Sequence, residues 1–436
     1  MTKKFLCASI VIAAAGSSIL AQSPEPTPTP VRLVVTNTMP AIKPASTPAP
    51  RIVEKPVVIG DAQKEAGPSA RSEAPIIVGS APAATPKTTS VPSNSSARIM
   101  SFGQMKNKIA EAKRFMQSRP IATAATTVPE GQELVRVALH DWKTNELDYV
   151  VMTKESFLST KGDKQLMSQN GRRFTARTIR GNGVNTPVVL IDENGDSQLP
   201  LLVQYPVIRG GQYVETAYYM STHPGLVTPE VVNAGRYYVR NVLEIARGKL
   251  KDHNITIQPK IVDIAERLAA VEHVDHQRFR NEYHPTIYND IYTLFALNEG
   301  QTYRYSVSSA GAGGMVQMIP STYRMVRSWH TNVPLMPDFV EGMRNHTNAS
   351  QAMLLYMQRT WNDLVANATI RDALDSGIAT PEQLVAAGYN SNPARLAGYI
   401  KRGGANWTNL IPRETQVYLR IYESIEKHVP MAERAR

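Results

Sequence analysis

Cysteine is nearly absent from this 436-residue sequence: Cys7 is the single one. A disulfide framework within one chain is therefore excluded, and the folded part must rest on its own core. Long apolar runs are also wanting where a membrane anchor would need one. The run Phe5 to Ala15 near the start falls short of a membrane span. Residues 22–100 hold no aromatic residue but 14 of the chain's 30 prolines. That composition buries too little apolar surface to offset the entropy of ordering. The nine histidines, among them His273, His276 and His284, have no cysteine or tight carboxylate pattern beside them, which argues for packing or exposure rather than metal ligation. Ser308 has no His-Asp partner in view, so nucleophilic hydrolysis is unsupported. Gly311-Ala-Gly-Gly314 is not followed by the lysine that a phosphate loop needs.

What is present divides the chain into stretches of different character. Lys3 and Lys4, the apolar run after them and small residues up to Ala21 read as a signal peptide over 1–21. Residues 22–100 read as a disordered linker rich in Pro, Ser, Thr and Ala, stiff where it runs Pro-Glu-Pro-Thr-Pro-Thr-Pro. A basic helix from about Ser101 to Gln117, with a connector to residue 127, carries Lys106, Lys108, Lys113 and Arg114 and reads as a solvated helix. The formal net charge of +11 is concentrated in this first part. Residues 22–127 hold 13 Lys and Arg against 6 Asp and Glu, whereas residues 255–436 hold 18 against 17. A basic balance confined to an exported linker argues against nucleic acid and for anionic polymers or lipid head groups.

Residues 128–225 change to short β-rich runs, expected as strands near 133–139, 147–152, 173–179, 187–191, 199–208 and 213–219. Asp192-Glu-Asn-Gly-Asp196 between two of them is turn chemistry rather than a calcium loop. From residue 228 to 436 the pattern is helical. Thr228-Pro-Glu opens one helix whose apolar positions run from Val231 to Ile245, and Ile257 to Val271 forms the next. Later helices are expected near 321–329, 349–364, 380–387, 394–402 and 414–427. The fold class expected is α+β and multidomain: a disordered Pro-rich N-terminal region, a small β-rich domain and an all-α domain.

The stretch that carries chemistry begins with a helix from His284 to Asn298, with Ile287, Ile291, Leu294 and Phe295 at helical spacing. Glu299 extends that apolar stripe. Desolvation and the negative end of the helix dipole would both raise the pKa of a carboxylate there, as suits a general acid for a glycosidic oxygen. A helix-end glutamate turned to solvent is the competing reading.

Three ordered motifs add to this. Ser308-Ser-Ala-Gly-Ala-Gly-Gly-Met-Val-Gln317-Met-Ile-Pro-Ser-Thr follows Glu299, Ala387-Gly-Tyr389-Asn390-Ser-Asn-Pro393 lies downstream, and Glu414-Thr415-Gln-Val-Tyr418 closes the series. Together they resemble the soluble lytic transglycosylases, which share the goose-type lysozyme fold. The resemblance covers roughly Ile257 to His428, with Gly300 where that family usually has serine. It implies an exported enzyme of the periplasm or cell envelope that cleaves the MurNAc-β-1,4-GlcNAc bond of peptidoglycan glycan strands, leaving 1,6-anhydro ends and using no cofactor and no metal. Glu299 would be the single acid and base. Ser308, Met315, Gln317, Tyr389, Asn390 and Tyr418 would line or approach the substrate, with core packing left open as the duty of Met315 and Tyr418. Two other functions stay in view. One is a catalytically silent wall-binding or scaffold protein, and the other a lysozyme-type hydrolase with Asp338 or Glu341 as its second acid. Anionic wall polymers or envelope proteins are further expected partners, through the basic linker and the β domain.

Overall fold

A computed structural model of the protein describes residues 100–119, 121, 133–209, 211–220, 223–298 and 310–435. The signal-peptide and linker readings lie outside them, as do Glu299 and Ser308. The first described element is α1 (Phe102–Ser118), opened by a capping box in which the Ser101 hydroxyl accepts the Gln104 N–H and the Gln104 side chain accepts the Ser101 N–H. The expected solvated helix is corrected here. Met105, Ala112 and Met116 recur on one face and are fully buried, with Lys108 and Lys113 half-buried along its flanks, Lys113 over the Tyr218 ring, and Lys106 exposed.

That buried face rests on a seven-stranded antiparallel sheet. Its elements are β1 (Leu134–Asp141), β2 (Glu146–Thr153), the short helix α2 (Lys154–Leu158), β3 (Lys164–Met167), β4 (Arg173–Thr178), β5 (Val188–Asp192), β6 (Ser197–Arg209) and β7 (Gln212–Tyr219). All six expected strands form; β3 and α2 were not expected. The order is β2-β1-β6-β5-β4-β3, with β7 added to β6. A bridge between Val150 and Ser168, and the Gln169 N–H donated to the Tyr149 carbonyl at 2.9 Å, bring β3 back to β2. The sheet is thus a nearly closed barrel, which leaves little unpaired edge. Bulges at Ala138/Leu139 and Val207/Ile208 bend the long strand β6 and its neighbours.

The barrel carries a buried polar cluster. Arg172 pairs with Asp141 and, at 3.1 Å, with Asp192, which also accepts from Gln198. Burial alone would raise the Asp192 carboxyl; the N–H groups of Asp196 and Asn194 outweigh it and hold it below the usual carboxylate range. Those same bonds make 192–196 the expected hairpin turn, with Gly195 at φ +86°. Arg136, 1 % exposed, reaches from β1 to the carbonyls of Met116 and Arg119 at 2.8 and 2.7 Å, satisfying the C-terminal end of α1.

Helices follow: α3 (Pro229–Asp252), α4 (Pro259–Val271), α5 (His276–Asn281), α6 (His284–Leu297), α7 (Pro320–Trp329), α8 (Phe339–Arg344), α9 (His346–Val365), α10 (Ala368–Asp375), α11 (Pro381–Asn390), α12 (Leu396–Gly403) and α13 (Arg413–His428). The short helices α5, α8 and α10 were not expected. On α3, Val231, Val242 and Leu243 are buried as expected, but Ile245 faces solvent. α3 and α6 approach closely because position 235 is glycine: a Cβ there would lie 1.9 Å from the Tyr292 carbonyl oxygen. Ala296 and Leu297 of α6 share one apolar cluster with Met105 and Met116 of α1 and with Leu199 and Leu202 of the barrel. By packing, the described chain forms two units, residues 100–358 with 421–435, and residues 359–420. The protein is therefore α+β and multidomain.

Candidate active site

The residue before Glu299 is the best-anchored part of the stretch. Asn298, 7 % exposed, ends α6 and behaves like a strand residue toward Met220, just beyond β7. Its Oδ1 accepts the Met220 N–H at 2.7 Å and its Nδ2 donates to the Met220 carbonyl at 3.0 Å. Nδ2 also lies 3.2 Å from the Leu294 carbonyl, which accepts the Asn298 backbone N–H at 3.0 Å as well. One amide thus ties the end of α6 to the barrel. Ile287, Ile291, Leu294 and Phe295 are buried, as the helical spacing predicts.

On the far side of Glu299 the glycine-rich motif folds into a tight hairpin. Gly313 donates its N–H to the Met318 carbonyl at 3.1 Å, and the two residues bridge antiparallel. Gly311 and Gly314 adopt φ of +78° and +71°, where a side chain is strained. Gly314 is doubly constrained, since a Cβ would lie 2.6 Å from the Met343 carbonyl oxygen. Gln317 follows at φ +48°, and its Nε2 donates to the Gly314 carbonyl at 2.8 Å. Met315 has no exposed surface, and its carbonyl lies 2.9 Å from His273 Nε2. Of the two duties left open for Met315, packing is the one observed: its side chain fills the core, and its carbonyl faces the buried His273.

The loop rests on a second layer. Asn348 donates to the Tyr323 hydroxyl and the Gly342 carbonyl at 2.8 and 2.9 Å and accepts the Met336 N–H at 2.9 Å. These bonds fix the chain on either side of Met343. Asp338 and Glu341 have structural work nearby. The Asp338 carboxylate caps α8 by accepting the Glu341 N–H at 2.8 Å, and Glu341, exposed, pairs with Arg344 at 2.7 Å.

In residues 359–420 the second and third motifs meet each other. Tyr389 and Asn390, both half-buried, are the last two residues of α11, and Asn390 Oδ1 accepts the Thr415 hydroxyl at 2.8 Å. Gly388 lets this end pack tightly, with its missing Cβ 3.2 Å from Pro393 and 3.3 Å from Thr360. Tyr418 is 2 % exposed, so packing is its duty in this structure and direct substrate contact is not.

Sequence reasoning missed Asn298, His273 and Asn348. Asn298 carried a usable signal, an amide at the end of an apolar helix beside the candidate acid. His284 spans Ser424 Oγ at 2.7 Å and the Phe279 carbonyl at 2.9 Å, a packing role. Among the described residues no group of three or more His, Cys, Asp or Glu is placed to hold a metal ion. Chemically, the described residues offer two anchored backbone ends, Asn298 before Glu299 in sequence and the Gly311–Met318 hairpin after it. No protein-family model matches the chain, and neither a characterised protein nor a solved structure does.

Proposed function

We propose that the protein is an exported peptidoglycan lytic transglycosylase related to the soluble lytic transglycosylases. In this reading residues 1–21 direct export, 22–100 form a spacer, the β-rich module accompanies the enzyme and the helical region 228–436 carries the lysozyme-like catalytic part. The observation that carries the reading is the Gly311–Met318 hairpin. Its glycines stand where positive φ and the Met343 carbonyl tolerate nothing larger, so the motif that resembles this enzyme class has a structural need behind it. The Asn390–Thr415 bond adds support, because it joins two further motifs that lie 25 residues apart in sequence.

The chemistry needs one carboxyl group. Glu299 gives its proton to the oxygen between MurNAc and GlcNAc, the C1–O bond breaks, and the substrate's N-acetyl oxygen supports C1. The carboxylate then takes the proton of the muramyl C6 hydroxyl as O6 bonds to C1, which restores the acid and leaves a 1,6-anhydro end. No water is consumed. A hydrolase would need a second carboxylate to activate water. The two considered for that duty, Asp338 and Glu341, are engaged in a helix cap and an ion pair. The tethered hydroxyl also has the advantage of an intramolecular nucleophile. Mass spectrometry of muropeptides released from sacculi tests this: ends lighter by one water and resistant to borohydride are expected, and reducible MurNAc ends would overturn it.

A further inference from the structure

A cleft of about 350 Å³ lies between the C-terminal end of α3, the segment around Met336 and the first turns of α9. None of the five described candidate residues lines it. Its wall carries both signs of charge, Lys249 and Asp252, together with His253, Thr347 and Gln351. Lys249 and Asp252 stand three residues apart on one helix, a spacing that ordinarily pairs opposite charges. Neither makes an ion pair among the described residues. Gln351 is the more telling residue. It is 8 % exposed, its side-chain amide makes no hydrogen bond among the described residues, and it lines the cleft, where its polar atoms are open to a ligand or to water. The cleft also faces the N-terminal end of the 20-residue helix α9, where a carboxylate is favoured.

We propose that this cleft binds a short peptide bearing both a carboxylate and an ammonium group. The carboxylate would lie toward Lys249 and the start of α9, the ammonium toward Asp252, and a peptide amide against Gln351. Apolar Met336 and Pro334 complete the wall beside the ligand's carbon chain. A neutral sugar would leave both charges unanswered. Taking the peptide to be a cell-wall stem peptide rests on the reading given above, and the site would then grip the peptide arm of the same polymer whose glycan is cut.

Calorimetry on the full-length protein with the tripeptide L-Ala-γ-D-Glu-meso-diaminopimelate tests the proposal, since a peptide without glycan cannot be turned over. Saturable binding is expected, weakened about tenfold or more by Lys249→Met and by Asp252→Asn. Gln351→Leu should weaken it too, and the exposed sites of the first two changes should leave the circular dichroism spectrum unaltered. The same tripeptide acetylated on its amines and amidated on its carboxyls should bind at least tenfold more weakly. No saturable binding at millimolar peptide, equal binding of the blocked peptide, or indifference to all three substitutions would each overturn the site. Anhydro-end formation from sacculi is scored separately. Its absence with peptide binding intact faults the glycan reading alone, and its presence without peptide binding faults the cleft alone.

Discussion

The two flanks of Glu299 are held by different means. Upstream, a side chain does the holding: Asn298 imitates a peptide unit and bonds both polar groups of Met220. Downstream, the backbone itself is the device, because Gly311, Gly314 and Gln317 all lie at positive φ and Gly314 sits against Met343 with no room for a Cβ. A side-chain anchor fails by leaving buried groups unpaired, and a glycine anchor fails by collision. The two flanks should therefore respond to different perturbations.

The largest effect expected touches neither anchor. Glu299→Gln keeps shape and hydrogen bonding but removes the titratable proton, so release of muropeptides from sacculi should fall on the order of 10³-fold with the melting temperature unchanged. Activity near that of the wild type would remove Glu299 from its role. Next comes Gly314→Ala, which combines left-handed strain with a 2.6 Å approach to the Met343 carbonyl oxygen. About 3 kcal/mol of stability should be lost in urea unfolding, and a loss under 1 kcal/mol would show that the hairpin yields easily. Asn298→Ala strands the N–H and carbonyl of Met220, itself 1 % exposed, at a cost of about 2 kcal/mol. Asn298→Asp should recover only the Oδ1 half of that clamp, which separates lost bonding from lost volume.

The smallest effect is the most selective. His223 lies three residues beyond Met220, and burial pushes its imidazole down to about 4. The unfolded chain, with an ordinary value near 6.5, takes up the proton first as pH falls. Stability is therefore complete above about pH 6.5, declines toward pH 4 and is flat below it. Between pH 7 and 5.5 the loss from this group is about 1 kcal/mol, and His223→Asn should flatten that slope. Hydrogen exchange at pH 5.5 should show earlier opening at Met220 than at Gly313; equal opening would mean that the two flanks unfold as one.

Much of this architecture was legible in the sequence wherever one period dominated. The stripe Ile287, Ile291, Leu294 and Phe295 gave α6, and alternation gave six strands. β3 was hidden because Lys164-Gln-Leu-Met is polar and short; pairing with β4 makes it a strand. The docking of α1 was hidden because Met105, Ala112 and Met116 are separated by lysines, and a three-residue stripe reads as weak until Arg136 and the barrel are seen beneath it. Ile245 misled in the opposite sense, an apolar residue left in water at little cost. In the candidate site, the sequence left Met315 and Tyr418 open between ligand contact and core packing, and their burial decides for packing. Spacing marks a conserved-looking shape without saying whether a side chain serves the ligand or the core.

The manner in which α1 is fastened has a mechanical consequence. Met100 is buried, the Phe102 N–H is held by Glu230 at 3.1 Å, and Arg136 grips the other end of the helix. A pull arriving along the preceding polypeptide therefore meets α1 first, whose buried face shares an apolar cluster with the barrel and with Ala296 and Leu297 of α6. To pass the load onward it must shear Met105, Ala112 and Met116 across the barrel surface together, rather than peel them one at a time. The helix works as a strain relief, like the clamp where a cable enters a housing, and tension on a tethered chain would be spread over the whole cluster beneath α1 instead of falling on one contact.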